Sequence, residues 1–304
     1  MKQRTPKRAP RRKQTPDFPI RVTKLSHEGR GLVRWGERML FIDGALPDEL
    51  VSVRVTKKSS KTAEGVAKEI LVPSPARGQP ECPHAAVCGG CSLQHLPHQS
   101  QINHKSNTLD ELMTREGIAL DQVTRLPPLL GPTLGYRRRA RLGVRWVHAK
   151  GRVLVGFRER GSNLIADIDG CPVLDPRIGL SLDQLETTIA ALSAPHRIPQ
   201  VEVAAGDDTV AVVVRHLEPL SAADLEQWID LAKSTGWHVY LQPKGPDTVA
   251  RLWPADGPKR LTYRIGEFGL EYQFAVTDFT QINAAMNRAM MMQAMELLDL
   301  QGSE

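Results

Sequence analysis

The pattern of apolar and polar positions predicts the elements of this chain. Val51, Val53 and Val55 alternate with Ser52, Arg54 and Thr56, the period-two signature of a strand with one buried face. The same criterion predicts short strands at 20–25, 32–35, 38–42, 50–56 and 63–70, punctuated by Gly29, Gly31, Gly36, Gly44 and Gly65. Five short strands crowded into residues 18–71 predict a small closed barrel of OB type.

A breaker-rich linker with Pro73, Pro75, Gly78 and Pro80 follows. Helical spacing of Ile102, Leu109, Leu112 and Met113 predicts a helix from His98 to Glu116. A second helix starts at Asp175 and Pro176, with Ile178, Leu182, Leu185, Ile189 and Leu192 on one face. Strands at 201–205 and 209–215 flank a Gly206-Asp-Asp turn, and Ser221 with Asp224 caps a helix whose apolar face holds Leu225, Trp228, Ile229 and Ala232. Further strands are predicted at 237–242, 249–253, 261–265 and 270–276. The sum is a mixed α/β domain around a largely antiparallel sheet. A last helix carries Ile282, Met286, Met290, Ala294 and Leu297; methionines at that spacing are most simply core residues.

Residues 136–160 hold nine basic residues and one acid, Glu159. Ala140, Leu142, Val144 and Trp146 alternate with Arg139, Arg141, Gly143 and Arg145; past a turn, Val153, Val155 and Phe157 alternate with Arg152, Leu154, Gly156 and Arg158. A hairpin built this way buries one face and offers Arg137, Arg139, Arg141, Arg145, Arg152, Arg158 and Arg160 on the other. Adjacent like charges cost stability, and the guanidinium fork matches phosphate oxygens, so a single-sign face points to RNA. The competing reading is a face balanced by acids from elsewhere in the chain.

The four cysteines are Cys82, Cys88, Cys91 and Cys171, spaced C-x5-C-x2-C with the fourth remote. Four thiolates complete either a tetrahedral zinc site or a [4Fe-4S] cube. With no secretory signal a disulfide framework is disfavoured, and three inert core thiols would not crowd into ten residues. Zinc prefers paired C-x2-4-C knuckles and only one pair exists, although His84, His95 and His98 stand near enough in sequence to substitute. Gly89 and Gly90 permit a tight bend and close approach of backbone N–H groups to cluster sulfurs, which favours iron–sulfur. Cys171 follows the arginine hairpin, so such a cluster would pin that hairpin to the cysteine loop; nothing in that role requires electron transfer.

Charge changes the picture at one end. The net charge is +6, but residues 1–16 carry seven basic residues and no acid, leaving −1 for the rest. A segment without an apolar face predicts a disordered basic arm over 1–16 that meets nucleic acid. No stretch approaches the ~20 apolar residues of a membrane span, and the cysteine usage indicates the cytoplasm. No protein partner is evident.

Several stretches together carry a resemblance. His27-Glu-Gly-Arg-Gly-Leu and Phe41-Ile-Asp-Gly-Ala-Leu-Pro-Asp-Glu-Leu-Val resemble a TRAM domain, an RNA-binding barrel. Adding the cysteine set, Gly135-Tyr-Arg-Arg-Arg-Ala-Arg-Leu and Asp278-Phe-Thr-Gln-Ile-Asn, residues 18–304 resemble the 23S rRNA uracil-C5 methyltransferase family of RlmD type. The resemblance implies a TRAM barrel over 17–72, a central RNA-binding domain with a [4Fe-4S] cluster over 73–275, and the start of a Rossmann-like S-adenosylmethionine domain over 276–304. It implies methylation of a uracil in 23S rRNA at the uracil-1939 type of site. There a cysteine thiolate adds to C6 of a flipped base, C5 takes the methyl group and a base removes the C5 proton. Cys82, Cys88, Cys91 and Cys171 match the cluster ligands, Gln281 an S-adenosylmethionine contact and Phe279 a residue beside the target base. The family's nucleophile, base and Gly-rich cofactor turn have no counterpart in this sequence. The expectation is therefore of a chain lacking most of its C-terminal catalytic domain and inactive alone. A non-enzymatic RNA-binding iron–sulfur protein is the alternative.

Overall fold

A computed structural model describes residues 16–300. The seven basic residues of the expected arm all lie outside the described residues. The chain forms two compact units.

The first unit holds the barrel, with residues 92–101 and 160–162. Its strands are β1 (Phe18–Arg21), β2 (Lys24–Leu25), β3 (Gly31–Trp35), β4 (Arg38–Asp43), β5 (Leu50–Lys58) and β6 (Thr62–Val72). They pair in the order β1-β5-β6-β4-β3-β2, with only β4 and β6 parallel. Val22 N–H donates to the Glu49 carbonyl at 2.9 Å and Thr23 N–H to that of Leu32 at 3.1 Å. The run from β1 to β2 thereby bonds to β5 on one side and β3 on the other, closing the sheet. Val22, Val33, Leu40, Ile42, Val51 and Val53 fill the barrel. Gly31 is needed there, since a Cβ would meet Val22 at 2.9 Å.

The linker is pinned to this unit by a buried carboxylate. Glu49 accepts both arms of the Arg77 guanidinium, at 2.5 and 2.8 Å, together with the amides of Leu46 and Ser74. Burial alone would raise its carboxyl; those donors outweigh it and hold it below the ordinary range.

Helix α1 (His98–Arg115) is as the spacing predicts, yet buries no residue. In the second unit follow β7 (Arg139–Val147), β8 (Arg152–Gly156), α2 (Pro176–Gly179), α3 (Leu182–Ala190), β9 (Gln200–Ala205), β10 (Val210–Arg215), α4 (Ala222–Thr235), β11 (His238–Gln242) and β12 (Ala250–Trp253). A hairpin of β13 (Leu261–Ile265) and β14 (Leu270–Phe274) leads to α5 (Ala284–Leu298). The six-stranded sheet runs β12-β11-β10-β9-β7-β8, antiparallel except for β10 and β11, which α4 joins as a crossover.

Residues of α2, α3 and α4, among them Ile178, Leu185, Ile189 and Trp228, pack with Leu142, Val201, Val203, Val212 and Val214. Ala204, Ala211 and Val213, the alternate positions, pack with Leu261, Phe274 and Val276. Both faces of β10 are thus buried, which is why it reads as an unbroken apolar run.

Two expectations change in detail. The single helix expected from Asp175 is two pieces, α2 and α3, with Leu180 between them 78% exposed. Gly179 causes the break: its carbonyl accepts from Cys171 N–H at 3.0 Å, and a Cβ on it would stand 2.2 Å from the Cys171 carbonyl. In α4 the buried positions are Asp224, Trp228, Leu231 and Ala232, a face turned slightly from the predicted one.

Candidate cluster loop and nucleic-acid interface

All four cysteines lie in the second unit, half-buried and without disulfides. Cys82, Cys88 and Cys91 sit in an irregular loop closed by Cys88 N–H to the His84 carbonyl at 2.8 Å. Gly89 N–H donates to the Arg158 carbonyl at 2.8 Å, and Cys88 bridges to Glu159, so the loop is anchored on the segment after β8. A Cβ at Gly89 would meet that carbonyl at 2.9 Å; one at Gly90 would meet the Phe157 ring at 3.0 Å and Cys88 Sγ at 3.4 Å. The two glycines are there because no side chain fits.

The sulfurs sit among backbone donors. Amides of His84 and Ala85 point to Cys82, that of Gly90 to Cys88 at 3.4 Å, and those of Val173 and Leu174 to Cys171. Burial pushes the Cys82, Cys88 and Cys171 thiols up, and charge on neighbouring cysteines of the set adds to the rise. Four thiolates gathered here therefore need a cationic group to hold them charged. Among the described residues, no three His, Cys, Asp or Glu side chains converge as a site for one metal ion. The grouped thiols, the amides aimed at them and the glycine lining are the donor chemistry of a thiolate-held metal group. Of the alternative zinc ligands, His84 is engaged by Asp169 at 2.5 Å, while His95 and His98 belong to the first unit.

The arginine face proves less uniform than the alternation implied. Arg141 pairs with Glu202 at 2.9 Å, and Arg152 pairs with Asp167 and, at 3.2 Å, with Glu186. Arg137 lies over the Phe157 ring at 5.2 Å, Arg158 reaches Asn163 at 3.2 Å, and Arg160 falls in the first unit. Arg139 is half-buried, its guanidinium donating to the carbonyls of Val276 and Asp278. Leu154, on the supposedly solvent side of β8, is buried. The acids come from positions remote in sequence, and alternation specifies a side of the sheet without saying what covers it. The exposed Arg145, paired through its backbone with Leu154, has no side-chain hydrogen bond or ion pair among the described residues.

Between β14 and α5 runs the stretch containing Phe279 and Gln281. Phe279 is 85% exposed and Gln281 is exposed too. Asn283 caps α5 by accepting from Met286 N–H at 3.0 Å, and Arg138 N–H donates to the Ile282 carbonyl at 2.8 Å. The start of β7 therefore holds this stretch in place. Alternation puts Arg139 on the outward side of β7, where the expectation was an RNA phosphate; the carbonyls it meets instead lie nearly 140 positions on, beyond the reach of any local pattern.

Residues 16–68 match the TRAM domain family, so a TRAM domain precedes an α/β unit. The fold resembles that of a Pyrococcus abyssi tRNA (uracil-54, C5)-methyltransferase solved in complex with S-adenosyl-L-homocysteine, with a TM-score of 0.65 at 20% identity. That match covers 92% of this chain and 65% of the other. In sequence the chain is a homologue of RlmD-type 23S rRNA uracil-C5 methyltransferases. It is 46% identical over 294 residues to the 23S rRNA (uracil(1939)-C(5))-methyltransferase RlmD of Alcanivorax borkumensis, covering 96% of this chain and 66% of that one. The Hahella chejuensis RlmD is also 46% identical, over 297 residues and with 66% of its length covered; for Bordetella pertussis RlmD the figures are 44% and 60%. The chain thus spans less than two thirds of the length of these relatives. The similarity gives no support to the expectation that it is inactive alone. Among the described residues, no helix is long and apolar enough to cross a membrane.

Proposed function

We propose that this chain recognises 23S rRNA in the cytoplasm and contributes to S-adenosylmethionine-dependent methylation of a uracil at C5, at the uracil-1939 type of site. The observation that carries the reading is the 46% identity to an RlmD over 96% of the chain. The TRAM match and the grouped cysteines support it.

C5 of uracil becomes nucleophilic only after a thiolate adds to C6. C5 then takes the methyl group, a base removes the C5 proton and the thiolate departs. S-adenosylmethionine supplies the methyl group. Gln281 would contact it, and exposed Phe279 would offer its ring to a base drawn out of the stack. Cys82, Cys88, Cys91 and Cys171 would hold a [4Fe-4S] cluster that ties the cysteine loop to the segment before α2. With all four so used, the attacking thiol is not among the cysteines of this sequence. Arg145 and Arg158 are the best placed for phosphate; Arg141 and Arg152 would have to exchange carboxylates for it.

Mass spectrometry of nuclease-digested 23S rRNA, from cells with and without the gene, tests the activity. Loss of 5-methyluridine from one site is expected; an unchanged content would overturn the proposal. Anaerobic iron and sulfide analysis should give about four of each per chain, whereas stoichiometric zinc without iron would refute the cluster.

A further inference from the structure

Residues 275–283, between β14 and α5, have no regular secondary structure, and of them only Val276 is buried. Thr277, Asp278 and Phe279 are all exposed. A stretch with so little apolar burial must take its conformation from hydrogen bonds.

Ala275 and Asp278 exchange bonds at 2.7 and 2.9 Å and Arg260 pairs with Asp278 at 3.5 Å; the bonds that tie the stretch to the sheet converge on one tripeptide. Arg137 bridges to Asn283, Arg138 N–H donates to the Ile282 carbonyl at 2.8 Å, and the Arg139 guanidinium donates to the carbonyls of Val276 and Asp278. The same tripeptide is fastened behind. Arg137 N–H donates to the Val173 carbonyl at 2.9 Å, Asp175 N–H to the Arg137 carbonyl at 3.0 Å, and Ala205 N–H to the Arg138 carbonyl at 2.7 Å. Residues 137–139 are therefore a rigid splint between the sheet and the loop. Arg139 supplies its only side-chain bonds to two loop carbonyls, and a planar fork can bridge two acceptors where a lysine ammonium serves as a point charge.

We propose that Arg139 is a positioning residue that fixes the loop bearing Phe279 and Gln281, and that it does not bind RNA phosphate. The inference deepens the proposed function and rests on it only for what the loop contacts.

Two readouts on the whole chain separate these roles. Hydrogen–deuterium exchange should rise about tenfold or more in Arg139→Ala at the Asp278 amide, which donates to the Ala275 carbonyl, and at the Arg138 amide, which donates to the Ile282 carbonyl, with β9 and β10 unchanged as the check on folding. Arg139→Lys should restore part of that protection. In titrations with a 23S rRNA hairpin containing uracil 1939, the slope of log affinity against log salt should stay at the wild-type value in Arg139→Ala. In Arg145→Ala it should fall by about one. Unchanged loop exchange in Arg139→Ala, or a slope reduced as in Arg145→Ala, would overturn the proposal. A wild-type chain that fails to bind the hairpin would sink the functional reading instead, and the exchange result would still decide the role of Arg139.

Discussion

Helices α4 and α5 are nearly equal in length, at 14 and 15 residues, and each is capped by a side chain accepting from its first turn. Each carries apolar residues at helical spacing. Yet α4 buries Trp228, Leu231 and Ala232 while α5 buries nothing, leaving Met290 43% and Leu297 62% exposed. Local rules make both helices; only contact with the sheet makes one of them core. The α4 face meets Val212 and Val239, whereas α5 is held at its start by the Asn283 cap and by Arg288 on Glu267. The two helices show that spacing identifies an amphipathic helix without identifying its partner.

The largest effect should come from emptying the α4 contact. Trp228→Ala removes a fully buried indole and should cost about 3–5 kcal/mol in denaturant unfolding. Trp228→Phe should cost much less, because the indole Nε1 it removes is buried without a partner among the described residues. A small effect of Trp228→Ala would mean that α4 is no more core than α5.

Next in size is the α4 cap. Asp224 accepts from Ser193 N–H and hydroxyl at 2.7 Å and from Ser221 N–H at 3.0 Å. Burial would raise its carboxyl, but these donors prevail and bring it down to about 2. A carboxyl lowered on folding stabilises fully above its ordinary value of 3.8, and that stability is lost as pH falls through about 2. Acid unfolding curves should therefore show a step in that window which Asp224→Asn abolishes, with a cost near neutrality of about 2 kcal/mol. An unaltered acid limb in the variant would deny Asp224 this role.

The same division decides how far the sequence could be read. Strands β3, β4, β5 and β9 were legible because alternation and glycine turns are local, and β10 because an apolar run follows the Gly206-Asp-Asp turn. The α4 capping box was legible because Ser221 and Asp224 satisfy each other within three residues. The break between α2 and α3 was not, since it depends on Gly179 meeting Cys171. Nor was the fate of the arginines: Arg141 finds Glu202 sixty-one residues away, and Arg139 finds carbonyls nearly 140 positions on. The cysteine spacing indicated a ligand set, while the amides aimed at the sulfurs needed the fold to be seen. What is decided within a turn of chain can be read from the chain; what needs a remote acceptor cannot.

The smallest effect belongs to α5. Leu297→Ser exchanges a side chain that is 62% exposed, so it should change unfolding free energy by no more than about 0.5 kcal/mol, and Met290→Ser, at 43% exposed, by somewhat more. The argument is one of reference states: a group exposed before and after unfolding loses no burial when truncated, and serine costs the helix only a few tenths in propensity. A loss above about 1.5 kcal/mol would require a burial that α5 does not have in the single chain. Sedimentation velocity at several concentrations would then be decisive, because burial supplied by a second molecule must weaken on dilution. Helix α1, whose Leu109 and Leu112 are likewise exposed, should behave as α5 does, since it too carries helical spacing and buries no residue.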